Sequence, residues 1–188
     1  MPLRTFFAID LPLESKIGVT DCVELLKRQF RHNRIRWAKP ENIHITLQFV
    51  GTTNVDDIMP LLEKVRYELE EQRAFHLSLG PLELFPSPQN PRVLSLKVGP
   101  QQTLAKLALA IARGVKAADY PIEDRLFRGH LTLAHVEGVE LLDEKRLDEI
   151  HLPVFPPMLI RELVFYESEP QAGGSKYTRL ASIELRRG

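Results

Sequence analysis

Apolar and polar residues alternate along residues 43–50, and this period of two is typical of a β-strand with one buried face. Gly51 is expected to end that strand. Residues 130–136 repeat the pattern, because HLTLAHV shares His, Thr, Leu and Val with HITLQFV at matching places. A two-lobed, pseudo-symmetric fold follows if helix-strand units are duplicated. The core-facing side chains predicted for the first strand are Ile43, Ile45, Leu47 and Phe49.

The rest of the chain predicts further helices and strands, with residues 31–40 as a basic loop ended by a proline. Helical spacing of apolar residues predicts helices over 13–30, 56–72, 104–115 and 141–150. The buried stripe predicted for the first helix is Ile17, Cys22, Leu25, Leu26 and Phe30. Strands are predicted over 4–10, 75–84, 92–98, 158–167 and 177–185, the second and third forming a hairpin. The fold class is therefore α+β, with helices on the outer faces of mostly antiparallel sheets.

Composition narrows the classes of function. The 188 residues, 44% of them hydrophobic, are enough for a sizeable core in one domain or two small lobes. Lys plus Arg and Asp plus Glu number 25 each, so a nucleic-acid partner is expected at an end or over a few nucleotides. The single cysteine, Cys22, excludes an intramolecular disulfide and a Cys-based zinc site. With no apolar run of about 18 residues and no signal peptide, a soluble cytoplasmic protein is expected.

The two related strands carry a His-x-Thr pattern that suits phosphate chemistry. Residues two apart on a strand share a face, so His44 and Thr46 project together, as do His130 and Thr132. If the strands lie side by side, two imidazoles and two hydroxyls meet in one cleft. One imidazole then removes a proton from an attacking oxygen and the other protonates the leaving oxygen, with no metal required. Basic residues precede both motifs, namely Arg34, Arg36 and Lys39, then Arg125 and Arg128.

Four segments carry a resemblance to a known family. These are RTFFAIDLP, W…PENIHITLQFVG, RLFRGHLTLAHV and YESEPQAGGSKYTRL, which together span nearly the whole chain. The chain resembles the 2H phosphoesterase superfamily, and within it the bacterial and archaeal RNA 2′,3′-cyclic phosphodiesterases once called 2′-5′ RNA ligases. Two His-x-Thr motifs in these contexts carry the resemblance, which either motif alone would not.

The resemblance implies a single domain over residues 1–188, made of two intertwined lobes whose antiparallel sheets line a central cleft. Each lobe is expected to carry one motif, at 44–47 and 130–133. The implied reaction is metal-independent hydrolysis of a terminal 2′,3′-cyclic phosphate to a 2′-phosphomonoester, without a cofactor. His44 is then the proton donor, His130 the proton acceptor, and Thr46 and Thr132 hold the phosphate. The implied partners are RNA 3′ ends or small cyclic nucleotides, and the implied state is a cytoplasmic monomer.

The second motif departs from the family, which commonly has Pro before its histidine and Arg shortly after it. Here Gly129 and His135 stand at those places. In an unbroken strand the odd offset of His135 from His130 turns it to the opposite face. Substrate contacts are nevertheless predicted at Arg128, His135, Phe7 and Tyr177. Core packing is the alternative for the aromatic residues, including Trp37, and one of the neighbours Phe6 and Phe7 is expected to face the core.

Three other functions remain open at this point. The same acid-base pair can perform 2′-5′ RNA joining, the reverse of opening a 2′-5′ linkage. An RNA-end binding module without turnover is a second alternative, although binding needs no matched acid and base. The third is a metal site made of His44, His130 and His135, which insensitivity to chelators would dismiss.

Overall fold

The chain forms two sheets and a set of helices in a computed structural model that describes residues 1–31, 34–123, 125–137, 142 and 144–188. The helices are α1 (Leu13–Gln29), α2 (Ile58–Leu69), α3 (Gln101–Ala117) and α4 (Glu144–Asp148). The strands are β1 (Leu3–Asp10), β2 (Ile35–Trp37), β3 (His44–Thr53), β4 (Phe75–Phe85), β5 (Val93–Gly99), β6 (His130–Val136), β7 (Met158–Ile160), β8 (Glu162–Gln171) and β9 (Gly174–Glu184). None of the helices in these ranges is both long and apolar enough to cross a membrane.

Antiparallel pairing joins the strands into two sheets. The first sheet has the order β3-β1-β8-β9, and the second has the order β2-β6-β5-β4-β7. Each sheet therefore contains one of the two His-x-Thr strands, β3 or β6, next to one inner strand, β1 or β5. The predicted α+β class with two mostly antiparallel sheets is confirmed, as is the hairpin of β4 and β5.

The larger of two hydrophobic clusters among the described residues contains residues from both sheets. It includes Phe7 and Ile45 from the first sheet and Leu96 and Leu131 from the second, all of which are fully buried. Helices α2 and α3 pack tightly because Gly114 lies so close to α2 that a Cβ there would sit 2.6 Å from the Val65 Cα. Helix α3 in turn contacts the first motif strand, β3, and also β5, which is the neighbour of the second motif strand, β6.

The same β-bulge interrupts both motif strands. In the first sheet Phe7 pairs with Gln48 and Ala8 with Thr46, so Leu47 has no partner on β1. In the second sheet the pairing passes from Thr132 to Ala134, which leaves Leu133 without a partner on β5. Each unpaired residue comes three positions after its motif histidine. A bulge resets the alternation of faces, so residues beyond it change sides relative to an unbroken strand.

The bulges correct two predictions. Phe49 was expected in the core, but its side chain is 54% exposed and faces away from it. His135 was expected on the face opposite His130, but the order of buried and open positions along β6 puts both on the open face. A second irregularity near Gly51, which has a positive φ of 90°, lets β3 continue to Thr53 instead of ending there.

Other element predictions need smaller corrections. Ile17 lies on the exposed side of α1. On the buried side, Val19 and Val23 take the place in the core that was predicted for Ile17. The segment predicted as a basic loop contains the edge strand β2, which pairs with the end of β6. The strand predicted over 158–167 divides into β7 and β8, which belong to different sheets. The short helix predicted over 141–150 is observed as α4, and residues 138–141 and 143 lie outside the described ranges.

Candidate functional site

The two motif histidines occupy equivalent places at the starts of facing strands. His44 is the first residue of β3 and His130 is the first residue of β6. The two strands come within 8 Å of each other between Cα atoms, although they belong to different sheets. The charged form of His130 lowers the pKa of His44, so the imidazoles interact electrostatically. We call the space between these open faces the cleft; Thr46 and Thr132 lie on the same faces, half-buried.

A backbone carbonyl fixes each imidazole in the same way. The Nδ1 atom of His44 lies 2.7 Å from the carbonyl oxygen of Asn42, and the Nδ1 atom of His130 lies 3.2 Å from that of Arg128. A carbonyl oxygen only accepts, so Nδ1 is the donor in both rings. In a neutral ring Nε2 then keeps its lone pair. The Nε2 atom of His44 is 3.0 Å from Oγ1 of Thr46, which donates to it.

Burial lowers the pKa of both histidines from the ordinary value of 6.5. At His44 the Asn42 carbonyl and then Asp10 oppose the effect of burial, because both favour the charged ring, whereas Lys16 adds to it. At His130 the Arg128 carbonyl favours the charged ring, but the charges of Arg128 and Arg125 disfavour it. The two rings therefore share a tendency to be neutral and differ in their charged neighbours.

Aromatic rings surround His44 on the first sheet. Phe6 lies 5.1 Å from His44 between ring centroids, and the ring of Tyr177 meets His44 edge-on at the same distance. Tyr166 stacks on Phe6 at 5.4 Å, and its ring centroid lies 6.4 Å from that of His44. The predicted substrate residue Tyr177 is thus beside His44 and half-buried. Phe7 is not: it is fully buried against Phe165, so the prediction that it contacts substrate is wrong.

A different set of side chains surrounds His130. The ring of Phe85 stacks on His130 with centroids 3.8 Å apart and an angle of 19°. The Arg128 guanidinium lies over the same phenyl ring at 4.4 Å and donates to the Glu83 carboxylate at 3.3 Å. Sequence reasoning missed Phe85 and Glu83 because both lie on β4, about 45 residues before the second motif. Only the pairing of β4 with β5 brings them to the site.

Two other residues that were predicted from the sequence, His135 and Arg125, have partners other than the two motif histidines. His135 is exposed on the open face of β6 and pairs across the strands with Arg36, and burial together with the Arg36 charge lowers its pKa. Arg125 forms an ion pair with Glu123 at 3.0 Å. Among the described residues, no three His, Cys, Asp or Glu side chains are grouped so that they could hold a metal ion.

Comparisons with known proteins agree with this geometry. The model of the family described as LigT like Phosphoesterase matches residues 9–95. The chain is 27% identical over 188 residues to the RNA 2′,3′-cyclic phosphodiesterase of Methanothermobacter thermautotrophicus, a match that covers 98% of this chain and 100% of that protein. Crystal structures of E. coli LigT complexed with phosphate and with 3′-AMP are similar over 98% of each chain, with TM-scores of 0.72 and 0.73 and identities of 25% and 24%.

The chain has the fold of the LigT structures, with a His-x-Thr strand in each of its two sheets. In sequence, the chain is similar to the LigT-like phosphoesterases, as its resemblance predicted.

Proposed function

We propose that this protein hydrolyses the 2′,3′-cyclic phosphate at RNA 3′ ends, or in small cyclic nucleotides, to a 2′-phosphomonoester without a metal ion. His130 acts as the proton acceptor and His44 as the proton donor. Thr46 and Thr132 hold the non-bridging oxygens of the phosphate.

The observation that carries this proposal is the matched orientation of the two imidazoles. In both rings Nδ1 is engaged by the carbonyl oxygen two residues earlier, so Nε2 is the atom left for proton transfer, and at His44 it also contacts the Thr46 hydroxyl. The two rings start neighbouring strands of different sheets and interact electrostatically. Two fixed imidazoles that share one cleft are what simultaneous removal and delivery of a proton require.

The proposed reaction balances with water as the only co-substrate. Nε2 of His130 takes a proton from the water whose oxygen attacks phosphorus. The bond between phosphorus and the 3′ oxygen breaks, and protonated Nε2 of His44 gives its proton to that oxygen. The products are a 2′-phosphate and a free 3′-hydroxyl. Hydroxyls of Thr46 and Thr132 donate to the phosphate oxygens, where negative charge is concentrated.

The comparisons support the substrate class. A relative that matches along its full length is named an RNA 2′,3′-cyclic phosphodiesterase, and a protein of the same fold has been crystallised with phosphate and with 3′-AMP. The aromatic side chains of Tyr177 and Phe6 beside His44 offer a surface on which a nucleobase can stack. Binding of a short end also suits a chain whose formal net charge is zero.

The test is incubation of EDTA-treated protein with a short RNA that ends in a 2′,3′-cyclic phosphate, followed by determination of the phosphate position in the product. Wild type is expected to give the 2′-phosphate, and His44→Ala and His130→Ala are each expected to lose about 10²-fold to 10⁴-fold in rate. His151→Ala is the matched control, since this exposed histidine lies outside the site.

Other outcomes identify the alternatives. Tight binding of the cyclic end without conversion would support an RNA-end binding module. Joining of that end to a 5′-hydroxyl RNA at high substrate concentration would show that the reverse direction is accessible. Loss of activity on EDTA treatment, restored by added metal, would contradict the metal-independent mechanism.

A further inference from the structure

The residues directly across the strands from the two histidines have opposite charges. In the first sheet Asp10 of β1 pairs with His44, and in the second sheet Lys97 of β5 pairs with His130. Asp10 and Lys97 occupy equivalent positions. Two residues before Asp10, Ala8 pairs with Thr46, and two residues before Lys97, Ser95 pairs with Thr132. Directly opposed residues of an antiparallel pair place their side chains on the same face. Each imidazole therefore has one charged neighbour of its own on the cleft face.

Asp10 lies between His44 and Lys16. Its carboxylate forms an ion pair with Lys16 of α1 at 2.5 Å, and its proximity adds to burial in raising the pKa of the Tyr166 hydroxyl of β8. Side chains of Asp10 and Lys16 are only 25% and 18% exposed, so water screens their charges less than at an open surface. Asp10 raises the pKa of His44 more than Lys16 lowers it. The pair as a whole therefore favours the charged form of His44. Tyr177, on β9, faces the same ring without a charge.

No carboxylate of the described residues favours the charged form of His130 in this way. Glu83 of β4 is directed to Arg128 at 3.3 Å. Burial and then the charges of Arg128 and Arg125 lower the pKa of His130. Lys97, whose side chain is exposed, lies directly across from His130 on β5. The residue that pairs with His130 thus carries a positive charge, whereas the residue that pairs with His44 carries a negative charge.

We propose that Asp10 is a positioning residue that assigns the proton-donor role to His44, and that Lys97, its counterpart in the second sheet, leaves His130 with the acceptor role. This inference rests on the proposed function. It explains how two histidines in the same backbone setting come to have different roles, one as proton donor and the other as proton acceptor.

Two substitutions in the Asp10–Lys16 pair separate an electrostatic role from a structural one. Asp10→Asn removes the charge that favours protonated His44, so the basic limb of the kcat/KM profile is expected to move to lower pH. Lys16→Met leaves the Asp10 carboxylate uncompensated, so the same limb is expected to move to higher pH. A purely structural role of the ion pair would make both variants lose activity at every pH without moving either limb.

Lys97→Met tests the second sheet. Removal of this positive charge favours protonated His130, so the acidic limb is expected to move to higher pH while the basic limb stays in place. In the first sheet, Asp10→Glu keeps a carboxylate at this position, so the basic limb of its profile should lie closer to that of wild type than the basic limb of Asp10→Asn does. The control is Glu24→Gln, which removes a carboxylate from another lysine ion pair, with Lys27 of α1, and is expected to move neither limb.

A titration of the imidazole resonances by NMR in the substrate-free protein gives a readout that does not depend on turnover. Asp10→Asn is expected to lower the pKa of His44 and Lys16→Met to raise it, with His130 nearly unchanged. In an active enzyme, unmoved limbs and unmoved resonances would overturn the role of Asp10 while the proposed function stands. Absence of turnover in folded wild type, by contrast, would overturn the proposed function and with it the donor assignment.

Discussion

The surroundings of His44 and His130 combine a repeated backbone with unlike side chains. Both histidines begin a strand, both donate from Nδ1 to the carbonyl oxygen two residues earlier, and both precede a bulge by three residues. Their neighbours differ, because His44 lies among Phe6, Tyr177 and Asp10 whereas His130 lies among Phe85, Arg128 and Lys97. A repeated backbone therefore fixes where two imidazoles are held, and the side chains around them decide what each can do.

The comparison is tested most strongly by exchanging the leaving atom. A 2′,3′-cyclic phosphate with sulfur in place of the 3′ oxygen has a leaving group that needs little protonation. His44→Ala, which should lose about 10²-fold to 10⁴-fold on the oxygen substrate, is expected to recover most of that rate on the sulfur substrate. His130→Ala should recover little. Single-turnover rates on both substrates measure the difference, and equal recovery by the two variants would contradict the distinct roles.

The threonines offer a smaller contrast. Thr46→Val and Thr132→Val keep the shape of the side chain and remove a hydroxyl, so each is expected to lose about 10-fold to 100-fold in kcat/KM, as for a hydrogen bond to a charged group. Because Thr46 also touches Nε2 of His44, its variant alone should move the basic limb of the pH profile. Thr178→Val, on β9, is the control. Identical pH profiles for the two motif variants would remove this distinction.

The aromatic neighbours should show a smaller effect still. Phe85 stacks closely on His130, whereas Phe6 is tilted and farther from His44. Phe85→Leu is therefore expected to lower kcat by about 2-fold to 10-fold, the range of one aromatic pair, and Phe6→Leu by less. Steady-state kinetics separate kcat from KM. A loss confined to KM in Phe85→Leu would mean that this ring binds substrate and does not orient the imidazole.

The weakest expected effect is on stability. Burial lowers the pKa of both histidines, so the unfolded chain takes up protons at a higher pH than the folded chain does. Their contribution to the free energy of unfolding is present above pH 6.5, the ordinary pKa, and is lost as the pH falls through the folded-state values. Urea unfolding between pH 7.5 and 5 should show a shallower decline in His44→Gln and His130→Gln. A decline as steep as in wild type would place its origin elsewhere.

Periodicity was sufficient to predict the fold class and the strands that carry the motifs, because both depend on which faces are apolar. Periodicity could also have placed Phe7, which is two residues from Ile9 on β1 and therefore faces the core with it. Phe6 lies four residues from Asp10 and shares the cleft face with it. In the second motif strand, the adjacent apolar residues Leu133 and Ala134 are the trace that the bulge leaves in the sequence.

Other parts of the site could not be predicted from one sequence. The pairing of Asp10 with His44 and of Lys97 with His130 depends on strand register, which is set by the whole sheet. Phe85 reaches His130 only because β4 adds to the sheet beside β5. These neighbours decide the electrostatics of the site, so the sequence predicts the reacting groups more readily than their division of roles.

The short passage between β7 and β8 limits how the two sheets can move. Arg161 alone separates the second-sheet strand from the first-sheet strand, and its carbonyl oxygen accepts from Leu185 N–H at 2.8 Å. Nearby, Arg186 accepts from Ala74 at 2.8 Å and donates to Gln72 at 2.9 Å. A one-residue connection therefore ties the edge of the second sheet to the first sheet, and drawing the two strands apart at this point would break these backbone hydrogen bonds.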